Sequence, residues 1–163
     1  EMVNQIKENC KQIYIAGDDD QAIFRYAGAD VDYFINLRRE SGLAYTKAIL
    51  NSNLLTAQHV SKGYTNTYYT FSAKFNGGQH GVKWEDFRQK YMEFGGDGIY
   101  AASKLIHQEP AFYKNSIGYG ETPVAVDLQQ RLMNFTTNQA TVHEREVQTV
   151  AMQKTLEYFG DHS

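Results

Sequence analysis

Two hydrophobic periods alternate along this chain. Trp84, Phe87, Tyr91 and Phe94 recur at i, i+3, i+7 and i+10, which predicts a helix with one aromatic face. Glu85 and Asp86 put negative charge in its first turn, and Gly95-Gly96 end it, since glycine takes the left-handed cap at low cost. Thr67 to Phe75 alternates instead, with Tyr69, Phe71, Ala73 and Phe75 on one face and Tyr68, Thr70, Ser72 and Lys74 on the other. That is the pattern of a half-buried strand, and Asn76-Gly77-Gly78 turns it toward the helix.

The remaining elements follow from the same rules. Residues 2 to 10 predict a short helix, and Gln12 to Ala16 a short buried strand bounded by Gly17. From Val31 to about Asn51 a long helix is expected, because Val31, Phe34, Arg38, Tyr45, Ala48 and Ile49 follow the helical period, with Gly42 as its weak point. Asn51 to Asn66 is polar and turn-rich. The run from Pro110 to Gly120 reads as loop, and Thr122-Pro123 as N-cap and first residue of a helix through Met133. Asn134 to Asn138 predicts a short strand. Thr141 and Glu144 form a capping box for a last helix whose packing stripe is Val147, Val150, Ala151, Leu156 and Phe159. The predicted class is α+β, a small antiparallel or mixed sheet packed with helices, preceded by a short β-α segment and a long linking helix. Tyr69, Phe71, Trp84, Phe87, Tyr91 and Leu156 are expected in one core.

Composition narrows the function classes. At 163 residues, 42% hydrophobic and 21% charged, the chain is long enough to bury a core without staples. A net charge of −3 gives no general electrostatic case for nucleic acid or an anionic membrane. The single cysteine, Cys10, cannot close an internal disulfide, and no apolar run reaches membrane-spanning length, so the cytoplasm is the default expectation. The histidines His59, His80, His107, His143 and His162 show no metal-ligand spacing, and no metal is expected.

The chemistry is densest after Gly96, where Asp97, Tyr100, Lys104, His107, Gln108 and Glu109 precede Pro110. From composition alone this is a solvated connection. GGDGIYAASKLIHQEPAF, with the aromatic strand before it and GETPVAVDLQQRLMNFTTN after it, resembles the C-terminal (small) domain of the DegT/DnrJ/EryC1 family of sugar aminotransferases over about residues 31 to 159. The resemblance implies a pyridoxal-phosphate (PLP) enzyme that moves an amino group from glutamate to a keto-deoxysugar nucleotide, as a homodimer. It also implies that the PLP lysine belongs to a large domain outside this chain, so that Lys104 is not catalytic and the chain is incomplete alone. What a small domain contributes is one wall of the substrate cleft, with Tyr100, His107, Gln108 and Glu109 as the substrate-binding candidates.

A second resemblance covers only IYIAGDDDQAIFRYAGAD, residues 13 to 30, which is similar to the segment after the Walker B acids in superfamily 1 helicases of the UvrD/Rep type. It implies a vestigial nucleotide site of Asp18, Asp19, Gln21 and Arg25, with Gln21 toward a γ-phosphate and Phe24 or Tyr26 toward single-stranded nucleic acid. No G-x-x-x-x-G-K-[ST] loop occurs to cradle phosphates, so Asp18, Asp19 and Asp20 read first as an acidic helix start stabilised by the dipole. The two resemblances divide the chain into residues 1–30 and 31–163 and point to a fragment, a fusion or an artificial joint. Three readings follow: part of an aminotransferase, part of a helicase-type ATPase, or a non-catalytic globular module.

Overall fold

The computed structural model describes residues 31–101, 104–115 and 122–161. The predicted helix at 2–10, the strand Gln12–Ala16, Cys10 and the nucleotide candidates Asp18, Asp19, Gln21 and Arg25 lie outside the described residues.

Among the described residues the order is α1 (Val31–Ala48), β1 (Leu55–Ala57), β2 (Phe71–Phe75), a 3-10 turn (Gly77–His80), α2 (Trp84–Glu93), β3 (Ile99–Tyr100), a second 3-10 turn (Ile106–Gln108), α3 (Pro110–Lys114), α4 (Pro123–Gln129), β4 (Leu132–Phe135) and α5 (Val142–Tyr158). The strands form one antiparallel sheet in the order β1-β2-β4-β3. The fold is α+β as expected, and the sheet is antiparallel, not mixed.

One face of the sheet makes the core. Ile99 pairs with Phe135 and Phe135 with Phe71, so these three share a face. All three are buried, as are Tyr45 and Ile49 of α1, Phe87 and Tyr91 of α2, and Ala151, Met152 and Leu156 of α5. Rings pack at aromatic spacing: Tyr45 lies 5.2 Å from Phe71, Phe75 5.4 Å from Phe87, and Tyr91 meets Phe135 edge-on at 5.6 Å. Trp84 is half-buried against this core, not inside it.

Tyr69 departs from the expected alternation, at 75% exposed. Tyr68 takes a left-handed backbone, φ 52°, with its N–H on Asn66 Oδ1, and this flips the register before β2 begins. Tyr68 is therefore the buried ring of the pair, and Tyr69 lies under the Arg38 guanidinium at 4.7 Å. Gly42 takes on a role in consequence. A Cβ there would lie 2.3 Å from the Tyr68 ring, so the expected weak point of α1 is the place where that ring docks.

Other differences trace to pairing and to satisfied polar groups. The long helix ends at Ala48, and the turn-rich stretch contains β1, which is only three residues long and is held by β2. Pro110 opens the short helix α3 where loop was expected. The helix from Pro123 stops at Gln129 because Phe75 N–H reaches Arg131 O at 2.7 Å and draws Leu132–Phe135 into the sheet, three residues before the expected strand end. The last helix is capped as predicted by Thr141 and Glu144. Its buried stripe is instead Gln148, Ala151, Met152, Thr155 and Leu156, with Val147 and Val150 exposed. Burial of Thr155 is allowed because its hydroxyl donates to Ala151 O at 2.7 Å.

The C-terminal end closes on Asp161. Its carboxylate accepts from Ser52 Oγ at 2.5 Å, Asn53 N–H at 3.0 Å and Leu54 N–H at 3.0 Å, fixing the turn between α1 and β1. Burial pushes this carboxyl up, and the bonds from Ser52, Leu54 and Asn53 outweigh it, holding it below its usual value.

Gly42→Ala ordinarily gains up to about 1 kcal/mol of helix propensity, but overpacking against Tyr68 costs roughly 1 to 3 kcal/mol, so the variant should be less stable in urea unfolding. A variant as stable as the parent refutes the docking of Tyr68 on Gly42. Asp161→Ala should cost roughly 2 to 4 kcal/mol by the loss of charge-assisted bonds to buried donors. Because the folded pKa is depressed, the stability from Asp161 is present above its unfolded pKa and is lost as pH falls through the folded value, so Asp161→Asn should flatten the acid limb of a stability profile.

Candidate functional site

The outer face of the sheet carries polar side chains. Tyr100 pairs with Asn134 and Asn134 with Ser72, which sets the three in a row across β3, β4 and β2. Ser72 donates its hydroxyl to Asn134 Oδ1 at 2.7 Å, and its N–H to Gln58 Oε1 at 2.8 Å, which extends the row past the end of β1. Tyr100 stands 57% exposed at one end of this row. Asn134 and Ser72 did not stand out in the sequence; the signal for Ser72 lay in the polar half of the Thr67–Phe75 alternation.

Beyond β3, the candidates sit on an arm built from a 3-10 turn and α3. His107 and Glu109 are half-buried and Gln108 is exposed. Gln108 is partly used by the turn, its Oε1 accepting from Leu105 N–H at 3.1 Å, which leaves its NH2 group free to donate. Glu109 is the N-cap of α3, where its carbonyl accepts from Phe112 and Tyr113 N–H. Among the described residues, no hydrogen bond or ion pair engages the side chains of His107 and Glu109, and none joins the four candidates to one another. Lys104 is exposed.

Asp97, the other acid of this stretch, is a lock. Its carboxylate accepts from Thr136 Oγ1 at 3.1 Å and Gln139 Nε2 at 3.4 Å, and its N–H donates to Gln148 Oε1 at 2.9 Å. The same Oε1 accepts from Tyr91 Oη at 2.6 Å, and Tyr45 Oη lies 3.2 Å from Tyr91 Oη. This cluster ties the Gly95–Gly98 turn to α5 and so sets where β3 and Tyr100 begin. Burial pushes the Tyr45 hydroxyl up to about 12, and burial, then the neighbouring Tyr45, pushes Tyr91 up as well.

A PLP site needs a lysine in a desolvated pocket, a carboxylate for the pyridine nitrogen and a cradle for the phosphate, commonly a helix N-terminus. No described lysine is buried, and the half-buried Lys90 is paired with Glu93 at 2.5 Å. The starts of α1, α2 and α5 carry Asp32, Glu85 with Asp86, and Glu144, which oppose a phosphate. The described residues therefore do not fit the cofactor. They also hold no group of three or more His, Cys, Asp or Glu arranged for a metal ion, and no described helix is long and apolar enough to cross a membrane.

No protein-family profile matches the sequence, and no curated protein matches it. Solved structures do share its fold. The aminotransferase TlmJ from Streptoalloteichus hindustanus superposes with a TM-score of 0.60 at 16% identity, covering 78% of this chain and 33% of that one. A sugar aminotransferase from Micromonospora echinospora gives 0.61 at 11% identity over 76% and 31%. PseC of Helicobacter pylori, an aminotransferase involved in the biosynthesis of pseudoaminic acid, gives 0.64 at 12% identity over 78% and 34%. The chain spans about a third of the length of these proteins, and over that third it has their fold.

The tyrosine pair makes a pH prediction. Both hydroxyls hold their protons more tightly folded than unfolded, so the stability they contribute is full below the unfolded pKa near 10 and declines as pH rises toward the folded values. Stability measured by denaturant between neutral and strongly alkaline pH should fall along this limb, and Tyr91→Phe should make the fall shallower while costing about 1 to 2 kcal/mol at neutral pH. A profile that is flat above pH 10 in the parent chain rules out the buried pair.

Proposed function

We propose that the region from Val31 onward is the small domain of an aminotransferase and supplies one wall of a substrate cleft that a PLP-bearing large domain completes. The observation that carries this reading is the match of 78% of the chain to about a third of an aminotransferase, together with the lack of a fitting cofactor site on the described residues. The substrate is a nucleotide-linked keto sugar, the amino donor glutamate, and the complete enzyme a homodimer.

The chemistry assigned to the wall is hydrogen bonding, not bond making. Tyr100 offers an exposed hydroxyl and ring face, Gln108 a donor amide, Glu109 an acceptor and His107 a donor or acceptor according to tautomer. Sugar hydroxyls are both donors and acceptors, so a set of this kind orients a sugar without supplying charge to the reacting carbon. Asn134 and Ser72 extend the same row. Binding energy from such a wall raises turnover only when the reacting centre is present beside it.

The test has two arms. The isolated chain mixed with PLP should give no visible absorbance band that borohydride removes. Placed in a chimera in place of the small domain of the Micromonospora echinospora enzyme, it should restore amino transfer to a sugar nucleotide. In that chimera His107→Ala and Glu109→Ala should each raise KM about tenfold, the cost of roughly 1.4 kcal/mol for a lost hydrogen bond, with the cofactor absorbance unchanged. A borohydride-sensitive band from the chain alone, or alanine variants with parental KM, would overturn the division of labour.

A further inference from the structure

At the other end of β4 from Tyr100, a cleft of about 400 Å³ opens between the end of β2, the first turn of α2 and the residue before β4. That volume lies within the range of small-molecule sites. Phe75, Val82 and Trp84 give it an apolar side, and the indole is held in place by its Nε1–H bond to Leu132 O at 3.1 Å. Lys83, Glu85 and Arg131 supply charge on the same lining. Lys83 and Glu85 are exposed, and Arg131 keeps its side chain 31% exposed while pairing with Asp127 across one helical turn.

This combination discriminates among ligands. Two cations alone would suit a phosphate, but Glu85 on the same lining opposes a dianion. A neutral apolar ligand would leave Lys83 and Glu85 without partners and Arg131 with Asp127 alone. A ligand with one carboxylate, one ammonium and a large apolar group answers these six of the ten lining residues. We propose that this cleft binds a free α-amino acid with an aromatic or branched apolar side chain. Its carboxylate meets Lys83 and Arg131, its ammonium meets Glu85, and its side chain packs on Phe75, Val82 and Trp84. Residues inside a peptide chain lack both end charges, which separates a free amino acid from a docked segment. The inference does not depend on the aminotransferase reading, since none of these residues belongs to the proposed wall.

Trp84 is the single tryptophan of the chain, so its emission reports directly on the cleft. The 163-residue chain is titrated with L-phenylalanine under indole-selective excitation, with calorimetry on the same samples to register binding that leaves the emission unchanged. Saturable binding is expected for L-phenylalanine and L-leucine, and its loss for N-acetyl-L-phenylalanine amide, which lacks both charges. Lys83→Gln and Glu85→Gln, both at exposed positions, should each weaken L-phenylalanine about tenfold, as the loss of one charge-assisted hydrogen bond does. Neither emission nor heat responding saturably to L-phenylalanine or L-leucine overturns the proposal. So does a blocked amide that binds as tightly as the free amino acid, which would mark the cleft as an apolar contact only.

Discussion

Phe135 is fully buried and lies within ring contact of Tyr45, Phe71 and Tyr91, one ring from α1, one from β2 and one from α2. Strands of two to five residues cannot hold a sheet together in water by their ladders alone, so the sheet exists because its inner face is glued to three helices. Such rings each bury large areas and add a modest directional preference. The elements that are weakest by themselves, β1 and β3, are therefore placed by what β2 and β4 do.

Inside that apolar contact the chain keeps a polar cluster. Gln148 Oε1 takes bonds from Tyr91 and from the Asp97 backbone, with Tyr45 alongside. Burying these groups is tolerable only because each finds a partner, and any one left alone would cost more than its bond returns. What the cluster adds is position. An apolar contact permits sliding, whereas hydrogen bonds to one amide oxygen fix the Gly95–Gly98 turn relative to α5. The outward chemistry of the domain starts directly after that turn.

The legible parts of the sequence were those in which local signals and packing agree. Trp84–Glu93 is a helix with Phe94 as C-cap and Gly95 following at φ 97°, and the Thr141–Glu144 box caps α5, because these features depend on neighbours within a turn. Long-range contacts hid the rest. Hydrophobicity placed Val147 and Val150 in the core and left Gln148 and Thr155 out, since it has no knowledge of the partners that make a buried amide or hydroxyl acceptable. The alternation of Tyr69 with Phe71 failed at one left-handed residue, Tyr68, whose ring needed the bare backbone of Gly42, 26 positions earlier by number. For the candidate site, the dense run from Asp97 to Glu109 was visible, but composition did not tell the lock, Asp97, from the outward-facing Tyr100, and it gave no sign that Asn134 and Ser72 line up beside it.

The division between inner and outer face also sets the arm after β3 apart from the core. That strand has two residues, pairs only with β4, and is followed by a turn and a short helix that begins at Pro110. None of the described residues 104–115 of the arm is buried, while Asp97 anchors its start through Thr136, Gln139 and Gln148. The arm's described residues can present side chains outward without disturbing the aromatic core. The opposite end of β4 has the reverse character, with Trp84 pinned to Leu132 O and the backbone of Arg131 bonded into the sheet. The ligand proposed for that end would meet a rigid wall, so its selectivity would rest on charge placement at Lys83, Glu85 and Arg131.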